Sequence, residues 1–225
     1  MVQLTFIGPD DLPAALAAFA HGIADDSMAT AAFARISASA GYRGAEAGLR
    51  AAALAAMRRL GIPVIDEEPS RAFSWDGWFL RVRSEPCVLF HEIAHWQLAA
   101  PARRALPDFG LGAGPETGRK DDADRARTVD EETCIAEECA ASLLGILWEA
   151  DCGGLALDAF LEQNWLERFD STGTHRLFRS TLAALFRRGL IDGSGAPTAR
   201  DSRARALVFA EPAGAYGHAL PLSLR

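Results

Sequence analysis

Ser84-Glu85-Pro86-Cys87-Val88-Leu89-Phe90-His91-Glu92-Ile93-Ala94-His95-Trp96 reads as the start and body of a helix, and it carries H-E-x-x-H. A serine, an acid and a proline in succession are helix-start signals. The residues after them are apolar nearly all round, the pattern of a helix enclosed by the rest of the protein. On a helix, positions i and i+4 lie one above the other, so the imidazoles of His91 and His95 can reach one metal ion. Glu92 sits beside them. In hydrolases with this motif the histidines hold zinc and the glutamate takes a proton from the metal-bound water. A pair of core histidines satisfied by neighbours is the bland alternative. Two histidines and a glutamate at this spacing, on a helix whose polar groups need partners, favour the metal.

Two histidines leave such a site open, and a third ligand is commonly a carboxylate from a later helix. Downstream, Pro101 to Pro115 is dense in glycine and proline and reads as a loop, and Glu116 to Arg127 reads as an exposed, mobile charge run. Thr128-Val129-Asp130-Glu131 matches a capping box and opens a second helix with an apolar stripe through Ile135, Cys139, Leu143, Ile146 and Leu147. Its acids Glu131, Glu132, Glu137 and Glu138 compete for the metal, with Asp108 as an outsider. Glu131 and Glu138, seven apart, lie on one side of the helix. Glu131 has a capping role available, and Glu138 is followed by small residues that allow close approach to a neighbouring helix. Glu138 is therefore the favoured ligand, with Glu131, Glu132 and Asp108 left open.

Upstream of the motif, Pro63-Val64-Ile65 reads as a brief strand. Ala72 to Trp75 and Trp78 to Arg83 read as a hairpin turning at Asp76-Gly77. Trp75 and Trp78 suit core or rim packing. Before them lie a strand candidate at Gln3 to Ile7 and three helices, near Leu12 to His21 (capped by Asp10 and Asp11), Met28 to Ser37 and Ala45 to Leu60, the last stopped by Gly61 and Pro63. His21 reads as a cap or surface residue. Past Gly153-Gly154, helices are expected near Leu155 to Phe169 and Thr174 to Leu190, then an irregular tail with one strand candidate, Ala206 to Phe209. The organisation expected is one metal-binding domain, 1–225: a helical scaffold (1–62), a metal-site core (63–150), a helical pair (151–192) and a tail (193–225). The fold class is a mostly helical α+β protein with a small antiparallel hairpin sheet packed beside the H-E-x-x-H helix.

The 225 residues, 49% of them apolar, suffice for a real core. A net charge of −7 offers no basic footprint for nucleic acid or an anionic membrane. No apolar run is long enough to span a bilayer, and the first residues lack a secretory start, which together lead us to expect a soluble, cytoplasmic protein. Cys87, Cys134, Cys139 and Cys152 form no C-x-x-C pair and read as reduced, buried thiols.

His91-Glu92-Ile93-Ala94-His95-Trp96, then Arg103-Arg104, Leu106 and Asp108-Phe109-Gly110, resembles the bacterial elongation factor P hydroxylases, which carry an H-E-x-x-H-W helix, a double arginine and D-F-G at matching spacing. Pro115-Glu116-Thr117-Gly118-Arg119 is loosely similar to their P-D-G-R, and Glu131 and Glu138 fall where that family has two glutamates. The resemblance covers about residues 86–144. Leu111-Gly112-Ala113-Gly114 departs from it, since the family has aromatic residues there, and the helical N-terminal portion has no counterpart. The resemblance implies a two-histidine-one-carboxylate site for Fe2+, oxygen-dependent hydroxylation of a modified lysine on elongation factor P, and substrate-positioning or supporting roles for Trp96, Arg104 and Asp108. Glu92 would then orient ligands or shuttle a proton.

Three readings follow. One is that hydroxylase. The second is a Zn2+-dependent metallopeptidase with the same ligands and Glu92 as general base, its substrate adding a strand near Trp75 to Arg83. The third is a silent domain with structural zinc or a toxin-like binding module, for which Cys87, four before His91, is the nearest fourth ligand.

Overall fold

The computed structural model describes residues 7–38, 46–166 and 172–200. Its first three helices are α1 (Leu12–Gly22), α2 (Ser27–Ala38) and α3 (Glu46–Leu60). Each places alanine and large apolar residues on its inner face: Phe19 of α1, Phe33 and Ile36 of α2, and Met57 of α3. Asp11 is the α1 N-cap by position, without a side-chain capping bond. Gly61, at φ 70°, stops α3. Ala45, Gln3 to Phe6, Phe169 and the Ala206 to Phe209 strand candidate lie outside the described residues.

The sheet differs from the sequence expectation. Strands β1 (Val64–Ile65) and β2 (Leu80–Arg81) pair parallel, Val64 with Leu80 and Ile65 with Arg81. The expected antiparallel hairpin is reduced to one isolated bridge, Trp75 to Leu80. Asp76 accepts from the amides of Trp78 (2.9 Å) and Phe79 (2.8 Å), holding the turn, and the amides of Leu80 and Val82 donate to the carbonyls of Pro63 (2.9 Å) and Ile65 (3.1 Å). The sequence between β1 and β2 loops out instead, so β1 reaches β2 along its other edge.

Helix α4 (Pro86–Leu98) carries H-E-x-x-H. Its N-cap is Glu85, not Ser84, and Pro86 opens it. Arg50 of α3 ties the approach by donating to the Ser84 carbonyl at 2.9 Å. Two 3-10 turns, Arg103–Ala105 and Pro107–Gly110, follow. Most charged side chains of the run are exposed, as expected, but its backbone is anchored and partly helical. Thr117 is buried, the amide of Gly118 donates to the carbonyls of Pro69 and Ala72, and α5 (Lys120–Arg125) buries Ala123.

Helix α6 (Glu131–Asp151) starts at Asp130, whose side chain accepts from the Thr133 amide at 2.8 Å. The Thr128 capping box does not form; Glu131 turns outward to Arg127 at 2.7 Å. Helices α7 (Ala156–Glu162) and α8 (Thr172–Arg187) are the last helices among the described residues and are shorter than the sequence periodicity suggests. One apolar core runs from Ala15 to Ile191, with Phe19, Phe33, Phe160, Trp165 and Phe178 packed as an aromatic knot among α1, α2, α7 and α8. The closest pair of elements is α4 with α6. All four cysteines are free, but only Cys139 is buried. Among the described residues, no helix is long and apolar enough to cross a membrane.

Near the end of α6, Glu149 is buried and accepts from the Leu155 amide at 3.2 Å. Burial pushes its carboxyl up to about 7, and the charges of Glu162 and Asp158 add to the shift. The unfolded carboxyl ionises near 4.5, so the neutral folded form contributes stability that is present in full below that pH and lost as pH rises through 7. Wild-type protein is expected to lose up to about 3 kcal/mol more than Glu149→Gln between pH 5 and 8. Denaturant unfolding of both proteins across that range checks this; parallel curves would contradict it.

Candidate metal centre

His91 and His95 stack on one face of α4 because their spacing is nearly one helical turn. Their Nε2 atoms are 2.9 Å apart, with the rings at 85°. Glu138 of α6 turns into the same point: its Oε2 lies 3.5 Å from His91 Nε2 and 3.4 Å from His95 Nε2. Among the described residues this is the one group of three histidine, cysteine or acidic side chains whose ligand atoms converge within 4.8 Å.

The donor set fits a divalent cation. Three atoms with separations of 2.9, 3.5 and 3.4 Å lie on a circle of radius about 1.9 Å, so a point just off their plane is about 2.1 Å from each, the bond length of zinc to nitrogen or oxygen ligands. Two imidazole nitrogens and a carboxylate are also the ligands of non-haem iron(II). The three side chains respond to one another's charge. Burial pushes His95 down, but the Glu138 carboxylate outweighs it, helped by Glu92 and Glu137, and raises the imidazole to about 9. His91 is lowered by burial and by the neighbouring His95 charge. Burial works against ionised Glu138, yet His95 and His91 hold it well below the usual carboxylate range.

Glu92 points beside the cluster and is not one of its three members. Burial pushes it up to about 7; His95 opposes this, while Asp108 and Glu138 reinforce it. A carboxyl near neutrality can both hold and release a proton at physiological pH.

The other candidates divide. Glu131 and Glu132 are exposed, and Glu131 pairs with Arg127. Glu137 is buried but faces away, at 2.7 Å from Arg103. Cys87 stands outside the cluster, and burial pushes its thiol up to about 11, away from thiolate. His21 is exposed. Trp96 supports Arg104, whose guanidinium carbon sits 3.7 Å over its ring. Asp108 is not among the three converging side chains. Its carboxylate accepts from Thr117 Oγ1 (2.6 Å) and the Trp75 amide (3.3 Å), and burial raises its pKa against those bonds.

Several residues that shape the centre have no role assigned from the sequence, although Arg103 and Phe109 stand in the stretch that carries the resemblance. Arg103 bridges Glu137 and the Phe109 carbonyl (3.1 Å), tying α6 to the loop beneath His95. Phe109 lies between Trp75 and His95. Gly145 lets α6 approach α4: a Cβ there would sit 3.1 Å from the His91 backbone. Gln97, fully buried, accepts from Trp148 Nε1 at 2.7 Å and donates to the Thr198 carbonyl at 2.9 Å. For Gly145 the local signal is a glycine inside an otherwise apolar helix, which marks a close approach.

Fold and centre together define a mostly helical α+β protein with a convergent two-histidine-one-carboxylate cluster between two core helices. Compared with protein-family models, with curated proteins and with solved structures, the chain has no match.

Proposed function

We propose that the chain is a mononuclear metal-dependent enzyme in which His91, His95 and Glu138 hold one divalent cation. The convergence of their three donor atoms from two helices carries this reading. Our first assignment of its chemistry is oxygen-dependent hydroxylation of a protein side chain in the cytoplasm, on a modified lysine of elongation factor P. That assignment is supported by the donor set and by the resemblance of residues 86–144. Iron(II) held by two histidines and a carboxylate supplies oxygen activation. The protein's part is to orient the ligands, to move a proton through Glu92, and to present Trp96 of α4 stacked with Arg104 of the following 3-10 turn.

The raised Glu92 carboxyl favours a second reading with the same ligands, a zinc-dependent metallopeptidase in which Glu92 is the general base. Elemental analysis of protein purified without oxygen, beside His91→Ala, separates the two. Iron lost in the variant supports the hydroxylase and leads to oxygen-uptake assays with elongation factor P. Stoichiometric zinc lost in the variant, with peptide hydrolysis, supports the peptidase. No metal in wild-type protein would sink both. Under either chemistry Glu92→Gln is expected to keep the metal and lose turnover by about 10²- to 10⁴-fold; undiminished turnover would remove Glu92 from the proton path.

A further inference from the structure

Three successive residues after α4 adopt the left-handed conformation: Asp108 (φ 42°, ψ 40°), Phe109 (φ 56°, ψ 20°) and Gly110 (φ 67°). Glycine takes this region freely, whereas an aspartate and a phenylalanine in sequence do so at a cost that the surroundings must override. The surroundings are built for it. The Asp108 amide donates to the Trp75 carbonyl at 2.9 Å, and its carboxylate accepts from Thr117 and from the Trp75 amide. Arg103, anchored on Glu137, donates to the Phe109 carbonyl, and the Thr128 amide donates to Gly110 at 2.9 Å.

This strained turn places one side chain. The Phe109 ring stacks on Trp75 on one side (5.4 Å between centroids, 4° between planes) and lies against His95 on the other (5.9 Å, 23°). A metal-ligating histidine ordinarily donates its second ring nitrogen to an acceptor that fixes the ring. Here His95 Nδ1 is buried and meets no hydrogen-bond partner among the described residues. Beyond the contacts of Nε2 with His91 and Glu138, the ring's direction comes from packing.

Resting on the metal-centre reading above, we infer that Phe109, locked by the left-handed turn at residues 108–110, is the positioning residue that aims the His95 imidazole at the cluster, in place of an acceptor on Nδ1. Asp108 serves the same end as the clasp of the turn. Its contribution is therefore geometric, and asparagine, which tolerates left-handed backbone, can replace it: its Oδ1 still accepts from the Trp75 amide, and its NH2 donates to Thr117 Oγ1 with that bond reversed.

The test is cobalt(II) titration of the metal-free full chain, read by affinity and by the visible absorption bands that report ligand geometry, with thermal unfolding of the metal-free proteins alongside. Phe109→Leu and Asp108→Ala are expected to bind cobalt about 10- to 100-fold more weakly with altered bands, while Asp108→Asn stays within about threefold of wild type with unchanged bands. Wild-type affinity and bands in Phe109→Leu would overturn the inference and leave the metal reading standing. Should Phe109→Leu fail to fold, the Asp108 pair decides: equal losses in alanine and asparagine variants would mean that charge, not the turn, matters. Cobalt uptake by wild type no greater than by His91→Ala would overturn both.

Discussion

Glu138→Ala is expected to lose metal binding by a hundredfold or more, and no other acid on α6 is expected to match it. Structural zinc sites gain about 10–16 kcal/mol from four ligands, so removing one donor costs on the order of 3 kcal/mol, equivalent to that factor. The loss is specific because the neighbouring acids face elsewhere. Glu131 is exposed and engaged with Arg127, Glu132 is exposed, and Glu137 is committed to Arg103. Glu131→Gln and Glu132→Gln are therefore expected to bind as wild type does. Metal titration of the three variants, with circular dichroism to confirm folding, reads the difference. Stoichiometric tight binding by Glu138→Ala would remove α6 from the centre altogether.

Gly145→Val is expected to damage both the fold and the centre. The atoms that a Cβ would meet are His91 Cα and N at 3.1 Å and the Phe90 carbonyl carbon at 3.3 Å. All are backbone, so no side-chain rotation relieves the contact and the two helices must separate. Overpacking of this kind costs about 1–3 kcal/mol, and a branched side chain lies at the upper end. Glu138 is seven residues before Gly145, hence on the same face of α6, and separation carries it away from His91 and His95. Gly145→Ala distinguishes the two effects. Its gain in helix propensity, about 1 kcal/mol, offsets the milder contact, so stability changes little while metal affinity falls. Thermal unfolding of the metal-free proteins and metal titration together check this. Full metal affinity in Gly145→Val would show that the helices need not meet so closely.

Much of the helical framework was legible in the chain because its signals are local. Pro86 starts α4, Gly61 stops α3, and Gly153-Gly154 closes α6, each through the backbone preferences of a single residue. Caps were read less well. Ser84 and Thr128 satisfy the capping pattern, but Glu85 and Asp130 occupy the positions, since several polar residues in a row compete and the turn of chain before the helix selects among them. The Asp76-Gly77 signal also found a real turn, yet the sheet is parallel because β1, from before the loop, pairs with β2. Local alternation carries no information about which strand arrives at an edge.

The division at the centre follows the same physics. Spacing of four on a helix by itself determined that His91 and His95 share a face, with Glu92 beside them. The small residues after Glu138 favoured it over the other glutamates, and the tertiary structure decided among them, because the choice depends on how α6 rolls against α4 at Gly145. It also decided that Asp108 clasps a turn, that Arg103 takes Glu137, and that an aromatic ring lies against His95. These contacts join residues that lie 9, 34 and 14 positions apart in the chain, each made by packing between segments whose own sequences are silent about their neighbours.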